Sequence, residues 1–232
     1  MIDLQILQHI DSDIGTIYLG RRMAPGRSEW TYEINIDGAL LMSSSNPVSE
    51  RRLATSALAM HEGEGLRVLV GGLGLGHSAE AALESPRVAS VRVVEKMSAV
   101  IDWMHDGLLP LSAEFAADKR LQIVQGDIYD DLLGPASEQY DLILVDVDHS
   151  PRHRLSEASA QFYTPEGQRQ VARHLTPGGR LAVWSSADDD DFMAVLREVY
   201  LDARREDVHW EDKGLCDGPL HDVLFFGRAH PG

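Results

Sequence analysis

The chain has 232 residues, of which 44% are hydrophobic and 25% are charged, and this composition indicates one α/β domain with a small appendage. The formal net charge of −16 at pH 7 disfavours nucleic acid as a partner, because an acidic surface repels phosphate backbones. The single cysteine, Cys216, allows no internal disulfide. No run of residues is apolar over a transmembrane length, and Met1-Ile2-Asp3 lacks the basic start of a signal peptide. We therefore expect a cytoplasmic protein without a membrane partner.

The sequence predicts two units, residues 1–62 and residues 63–232. The first unit is a small antiparallel β-segment followed by a helix, and Asp37-Gly38 is a hairpin turn signal between two of its strands. Asn46-Pro47 predicts the N-cap and the first residue of the helix, which we expect to end near Gly63. The predicted strands are Ile14–Leu19, Trp30–Ile36 and Ala39–Met42.

A glycine-rich turn follows the first predicted strand of the second unit. The apolar stretch Leu66–Val70 runs into a loop with glycine at 71, 72, 74 and 76, and the helix-like segment His77–Glu84 begins at once. A strand, a glycine turn and a helix in this order bring backbone N–H groups to one small ligand. The spacing is G-x-G-x-G, whereas the dinucleotide pattern G-x-G-x-x-G would need glycine at residue 77. A tight turn without a ligand is the other interpretation.

Acidic residues lie at the ends of the next three predicted strands. Glu95 comes about 20 residues after the loop, where a Rossmann-type fold offers a carboxylate to the ribose hydroxyls. Because the carboxyl ends of parallel strands meet in one crevice, we expect these acids to lie close together, although Asp127 follows glycine and could serve as a turn residue. The strands are Val91–Glu95, Leu121–Gln125 and Tyr140–Val147, and the acids are Glu95, Asp127, Asp146 and Asp148.

The remaining elements continue the alternation of helices and strands. Asp188–Asp191 indicates a solvated helix start, since acids suit the first turn. The predicted helices are Met97–Asp106, Thr164–Leu175 and Phe192–Tyr200, and the predicted strands are Arg180–Trp184, Val208–Trp210 and Val223–Phe226, the last two forming an antiparallel hairpin.

The glycine loop is similar to that of the class I S-adenosylmethionine-dependent methyltransferases. A narrower resemblance rests on the order of several motifs, and it is to the polyamine aminopropyltransferases, the spermidine synthase family. It implies a Rossmann-like class I methyltransferase fold, α/β, with a mostly parallel seven-stranded sheet whose last strand is antiparallel and a small N-terminal β-segment. The motifs are Ile36-Asp37-Gly38, the glycine loop, Ser85-Pro86-Arg87-Val88, Glu95, Gly126-Asp127, Asp146, Phe162-Tyr163 and Leu175-Thr176-Pro177-Gly178-Gly179.

The resemblance also implies an activity and a site. Enzymes of this family move an aminopropyl group from decarboxylated S-adenosylmethionine to an amine, so S-adenosylmethionine or its decarboxylated form is the expected cofactor, and a homodimer is expected. Glu95 would bind ribose, Asp127 adenine, and Asp146 would act on the attacking amine. The expected cofactor-binding residues are Gly72, Gly74, Gly76, Glu95, Lys96, Gly126, Asp127, Ile128 and Asp146.

The chain departs from the family pattern at the positions that bind the aminopropyl group and the acceptor substrate. Leu75 stands where the family has the Asp that holds the aminopropyl ammonium, and the segment after Asp146 has no Asp three residues later. Positions with a tyrosine and a His or Gln in the family carry Glu50, Arg51 and Arg52. We therefore expect a small-molecule amine acceptor other than plain putrescine.

The transfer of a group from a sulfonium depends mainly on how the attacking atom is positioned against the carbon that it attacks. An amine acceptor must first lose a proton, because an ammonium has no free lone pair. The candidate proton acceptors are Asp146 and Asp148, with His149 as a substrate contact or second base, while Tyr163 and Arg51 are candidate substrate residues. We expect no metal. Two alternatives stay open: a methyltransferase that uses intact S-adenosylmethionine on a small molecule, and a non-catalytic module that binds the cofactor.

Overall fold

The structure is a computed structural model, and it describes residues 3–12, 15–23, 28–153, 157–211 and 219–232. Cys216 and the first residue of one predicted strand, Ile14, lie outside the described residues.

The N-terminal segment is a four-stranded antiparallel sheet in chain order. Its strands are β1 (Asp3–Ser12), β2 (Gly15–Met23), β3 (Thr31–Ile36) and β4 (Ala39–Ser43). The hairpin between β3 and β4 is confirmed, with φ of +48° at Asp37 and +81° at Gly38. Strand β1 was not predicted, because its large apolar residues do not alternate against a core: Leu4 and Ile6 are 64% and 66% exposed.

Helix α1 (Val48–Ala59) follows the small sheet and begins one residue later than predicted. Pro47 occupies the N-cap position, and the side-chain oxygen of Asn46 accepts a hydrogen bond from the Val48 N–H at 3.3 Å. Leu53 and Ala57 are completely buried, so this face of α1 packs into the protein.

A seven-stranded sheet forms the main body, in the order β10-β11-β9-β8-β5-β6-β7. The five strands from β9 to β7 are parallel, and β11 pairs antiparallel with both β9 and β10. The predicted mostly parallel sheet with an antiparallel last strand is therefore confirmed. Its strands are β5 (Leu66–Gly71), β6 (Val88–Glu95), β7 (Leu121–Gln125), β8 (Tyr140–Val145), β9 (Leu175–Ser185), β10 (Leu201–Glu211) and β11 (Pro219–Arg228).

The other helices connect these strands. They are α2 (His77–Leu83), α3 (Ser98–His105), α4 (Ser112–Ala117), α5 (Ile128–Leu133), α6 (Pro165–Val171) and α7 (Asp190–Val199), with short 3-10 helices at Glu157–Tyr163 and Ala172–His174. Thr164 caps α6 by accepting the Gly167 N–H at 3.1 Å, as its position before proline predicts. Helix α4 was not predicted, and α6 ends before the predicted Leu175, which already pairs with Tyr140 in the sheet. At the start of α7, Asp189 is 4% exposed, so it is a buried cap rather than a solvated residue.

Two hydrophobic cores lie on the two faces of the main sheet. The core on the α1 side includes Ile17 and Ile34 of the small sheet together with Leu53, and the core on the other side includes Phe162 and Phe192. Residues on both sides of the predicted boundary at 62/63 thus share one core, and the division into two domains stays a prediction. Among the described residues, each helix is too short or too polar to cross a membrane.

Candidate functional site

A cavity of about 830 Å³ opens at the carboxyl ends of the parallel strands. The segments that follow β5, β6, β7 and β8 form its floor, while β4 and the start of α1 cover one side and the end of the β10–β11 hairpin closes another. The structure brings eleven predicted site residues to this cavity, although their roles stay predictions. They are Gly72, Gly74, Gly76, Glu95, Lys96, Gly126, Asp127, Ile128, Asp146, Asp148 and His149.

The glycine loop has a backbone conformation that side chains disfavour. The φ angle is +91° at Gly72, +50° at Gly74 and +97° at Gly76. A Cβ on Gly72 would lie 2.3 Å from the carbonyl oxygen of Asp146, so the loop passes the end of β8 where only glycine fits. The turn therefore leaves bare backbone at the edge of the cavity.

Glu95 lies at the end of β6 and is 5% exposed. One carboxylate oxygen accepts the Leu73 N–H and the other accepts the Met97 N–H, each at 2.8 Å. Burial raises the pKa of Glu95, and these backbone bonds oppose that rise. The N–H groups of Gly74 and Lys96 also interact with this carboxylate, so backbone donors of the glycine loop and of the segment after β6 hold Glu95 in place at the cavity.

Asp127 caps helix α5 and also forms an ion pair. One carboxylate oxygen accepts the Tyr129 N–H at 2.9 Å, and the other accepts the ammonium of Lys96 at 2.9 Å. This pair links the ends of β6 and β7 at the cavity. A contact between Asp127 and adenine stays a prediction beside its observed role as a cap.

Asp148 is held in place by two tyrosines. It is 3% exposed, and one carboxylate oxygen accepts the hydroxyls of Tyr129 at 2.8 Å and Tyr163 at 3.0 Å. Tyr163 is not among the described residues that line the cavity, so it reaches the site through Asp148. His149 is exposed at the cavity, and its carbonyl accepts the Ser186 N–H at 2.8 Å.

Asp146 follows β8 and accepts the Ser78 hydroxyl at 2.8 Å. Burial, reinforced by the nearby Asp222, raises the pKa of Asp146 to about 6 despite this hydrogen bond. Burial and then the charge of Asp146 raise the pKa of Glu50, on the first turn of α1, to about 7. These two carboxyl groups therefore titrate close to neutral pH.

Asp222 lies on β11 and is 6% exposed. It accepts the indole N–H of Trp210 at 2.7 Å, and burial raises its pKa. On the first turn of α1, the Ser49 hydroxyl accepts the indole N–H of Trp184 at 3.0 Å and donates to Glu50 at 3.1 Å. Neutral donors thus orient these acids.

We call Glu50, Asp146 and Asp222 the carboxylate cluster. All three line the cavity, and in the part of the chain that the structure describes none of them forms an ion pair with Lys or Arg. Within the same ranges, no group of three or more His, Cys, Asp or Glu residues is placed to hold a metal ion. The cluster is therefore a concentration of negative charge beside the glycine loop.

Two arginines that the sequence places near the substrate site are engaged elsewhere. Arg51 donates to Glu80 and Glu84 of α2, each at 2.6 Å, and Arg52 pairs with Glu206 of β10. Neither is among the described residues that line the cavity, because acids on neighbouring elements bind their guanidinium groups. A substrate contact by Arg51 stays a prediction that this placement does not favour.

Sequence reasoning missed Glu50 and Asp222 as site residues. One signal was present: Glu50 lies on the same helical face as the buried Leu53 and Ala57, where an acid needs an explanation. Asp222 shares its strand face with Leu224, which belongs to the core on the α1 side. No local signal, however, indicates that α1 and β11 meet at the cavity.

No family model matches the chain, and neither does any curated protein. The solved structures that resemble it include a spermidine synthase in complex with the transition-state analogue AdoDATO, with 17% identity, a TM-score of 0.74, and coverage of 98% of this chain and 74% of that one. The spermidine synthase of Thermotoga maritima has 17% identity and a TM-score of 0.71, with coverage of 98% and 73%. The fold is spermidine synthase-like.

A methyltransferase has a similar structure as well. Human methyltransferase-like protein 13 in complex with SAH has 20% identity and a TM-score of 0.57, over 79% of this chain and 83% of that one. The spermidine synthase-like fold is thus a variant of the class I methyltransferase fold, as the glycine loop predicts. At these identities the likeness establishes the fold.

Proposed function

We propose that this chain is a transferase that moves an alkyl group of the aminopropyl type from a sulfonium cofactor to an amine. The observation that carries the proposal is the cavity itself, in which a bare glycine turn and Glu95 lie beside the carboxylate cluster. The likeness to a spermidine synthase and to a methyltransferase supports it, since those two structures hold AdoDATO and SAH.

The residues present fit an adenosyl group. The turn at Gly72 and Gly74 offers backbone without a Cβ, and Glu95 lines the cavity at the end of β6, where a Rossmann-type fold places the acid that binds ribose hydroxyls. Apolar side chains of β4, Leu41 and Met42, cover the same part of the cavity. An adenosyl sulfonium bound there would supply an electrophilic carbon next to the carboxylate cluster.

The charge of the cavity favours the decarboxylated form of the cofactor. Among the described lining residues, Lys96 is the only Lys or Arg, and it is paired with Asp127 at the base-binding side. Leu75 lines the cavity and is 4% exposed, so it offers no partner to a charged tail. A cofactor tail with a carboxylate would meet negative charge, whereas an aminopropyl ammonium would be attracted by it.

Asp146 is the residue that we assign to the acceptor amine. An alkylammonium has a pKa near that of lysine, about 10.4, so its lone pair becomes free only when a proton leaves. The Asp146 carboxylate can accept this proton while Ser78 fixes its orientation. The nitrogen then forms a bond to carbon, the carbon–sulfur bond breaks, and a neutral thioether is released.

Methyl transfer is the second candidate function, and Leu75 is the observation that favours it. An apolar residue at this position removes the carboxylate that would hold an aminopropyl ammonium. A protein that binds the cofactor without turnover is the third candidate.

The deciding experiment follows product release with either cofactor and a panel of amines. We expect amine-dependent release of methylthioadenosine from decarboxylated S-adenosylmethionine, and a loss of at least 100-fold in kcat with Asp146→Asn. Asp191→Asn, at an exposed residue on α7, is the matched control and should retain full activity. Release of adenosylhomocysteine alone would establish the methyltransferase instead, and binding without either product would identify a non-catalytic module.

A further inference from the structure

Three arginines lie together on the face of the main sheet that carries α1, at the end of α1 remote from the cavity. Arg180 of β9 and Arg228 of β11 are direct partners across the two strands, and Arg204 of β10 pairs with Phe226, two residues before Arg228. Phe226 belongs to the core on the α1 side, so residues in these register positions share that face. We call Arg180, Arg204 and Arg228 the arginine cluster; none of its members is among the described residues that line the cavity.

Arg180 is a buried cation without an acid of its own. It is 7% exposed, and its Nε donates to the Met60 carbonyl at the end of α1 at 2.6 Å. Its Nη1 is buried and has no hydrogen-bond partner among the described residues. The end of a helix supplies only part of a negative charge, and Arg87 already donates to the carbonyls of Leu58 and His61 there. The charge of Arg180 is therefore largely uncompensated, which is unfavourable for a buried group.

The neighbours of Arg180 add positive charge. Burial, followed by the charges of Arg204 and Arg228, lowers the pKa of Arg180, while Asp202 opposes this change. Like charges placed directly across two strands, as Arg180 and Arg228 are, destabilise a sheet. Within the described ranges Arg204 forms no ion pair, so the cluster holds three positive charges against the one negative charge of Asp202. This excess occurs in a protein whose formal net charge is −16.

A β-bulge places that one acid beside a single member of the cluster. The register of β10 shifts between Leu201 and Arg204, and Asp202 within this bulge has a φ of +50°. Its carboxylate lies 2.9 Å from the Nε of Arg228. Asp202 therefore orients Arg228 and leaves Arg180 and Arg204 available to another anion.

We propose that the arginine cluster is a binding site for a phosphate group. A dianion compensates the excess charge, and its tetrahedral oxygens accept N–H groups from the three adjacent strands that carry the cluster. A flat carboxylate engages one guanidinium in full and leaves the others unpaired. The site is open to solvent on one side, since Arg204 is exposed and the Arg228 side chain is 38% exposed. The inference is independent of the proposed function, because the cluster lies outside the cavity.

The test compares inorganic phosphate with malonate, which are both dianions at pH 8 but differ in shape. Calorimetry on the full chain, in a buffer without phosphate, measures their binding. We expect phosphate to bind in a one-to-one ratio and at least about 5-fold more tightly than malonate. Arg204→Gln and Arg228→Gln should each weaken phosphate binding at least about 5-fold, because each removes a positive charge and its donors.

Asp202→Asn is the variant for which the proposal predicts a gain. It removes the negative charge that opposes the anion, and asparagine tolerates the positive φ of this position. We expect phosphate binding to become about 3-fold tighter, a result that a general disruption of the sheet does not produce.

Phenyl phosphate is titrated beside inorganic phosphate to identify the source of the group. Tighter binding of the ester supports a site for a phosphorylated compound, and tighter binding of the free ion supports a site for phosphate itself.

A control variant and melting temperatures make the result interpretable. Arg197→Gln removes the same charge from an exposed position on α7, which packs on the other face of the sheet, and should bind phosphate like the wild type. Phosphate should raise the melting temperature of the wild type and have little effect on Arg204→Gln. Without phosphate, Arg204→Gln should melt no lower than the wild type, since it loses a charge that repels Arg180.

The inference is overturned if phosphate does not bind saturably, if malonate binds equally well, or if Arg204→Gln and Arg228→Gln bind phosphate like the wild type. Weaker phosphate binding by Asp202→Asn would also contradict it, because the loss of a negative charge cannot weaken an electrostatic site for an anion.

Discussion

Glu50 is a carboxyl group whose ionisation depends on residues far from it in the chain. Its burial and the charge of Asp146 raise its pKa to about 7, and Asp222 contributes further. The sequence indicated the acids at strand ends, including Asp146, because the carboxyl ends of parallel strands meet in one place. The family resemblance placed Glu50 at a substrate position, but the sequence did not indicate that Glu50 and Asp222 lie beside Asp146, since this depends on how α1 and β11 pack.

Glu50 has a measurable effect on stability, and its sign follows from the pKa. Because the pKa is about 7 in the folded protein and about 4.5 in the unfolded chain, the folded state binds more protons between these values. The contribution of Glu50 to the free energy of unfolding therefore falls as the pH rises from 4.5 to 7. We expect Glu50→Gln to stabilise the unliganded protein by about 2 kcal/mol at pH 8 and to have little effect at pH 4.5.

Chemical denaturation at both pH values checks this prediction. Glu114→Gln, at an exposed position on α4, is the control and should change stability by less than about 0.5 kcal/mol. Equal stability of Glu50→Gln and the wild type at pH 8 would show that the carboxylate cluster carries no electrostatic penalty.

Among the elements, those with local signals were predicted well. The hairpin at Asp37-Gly38, the cap at Thr164 and the strand that enters the glycine loop are set by residues next to them. Strand β1 and helices α4 and α5 were missed because β1 exposes its large apolar residues and each of the two helices has only six residues. Elements that are stabilised by tertiary contacts give a weak pattern in the sequence.

In the proposed function, cofactor binding depends on the glycine loop. An alanine at Gly72 would bring its Cβ to 2.3 Å from the carbonyl oxygen of Asp146, at a φ of +91°. We expect Gly72→Ala to destabilise the protein by more than about 2 kcal/mol and to abolish methylthioadenosine binding. Gly107→Ala is the matched control, since Gly107 also has a positive φ of +78° but an added Cβ meets no atom within 4 Å.

Calorimetry and thermal melting measure both effects. Gly107→Ala should lose only about 1 kcal/mol and bind methylthioadenosine normally. Normal binding by Gly72→Ala would mean that the turn is not in contact with the ligand.

For the whole molecule, the sequence predicted the sheet and its carboxyl edge but not the walls of the cavity. The alternation of strands and helices along the chain indicated a parallel sheet with the glycine loop after its first strand, and the family resemblance implied seven strands with an antiparallel last strand. One wall of the cavity comes from β4 and the start of α1, and another comes from the end of the β10–β11 hairpin. These two walls of the cavity are therefore assembled from segments near both ends of the described chain, which share no local motif.

The central claim is that the bare turn after β5 and Glu95 bind an adenosyl group. The measurement that tests it most directly is a crystal structure of the protein with methylthioadenosine. The account predicts that both ribose hydroxyls donate to the carboxylate of Glu95 and that the thioether faces Asp146. A nucleoside bound outside this cavity, or a ribose without contact to Glu95, would contradict it.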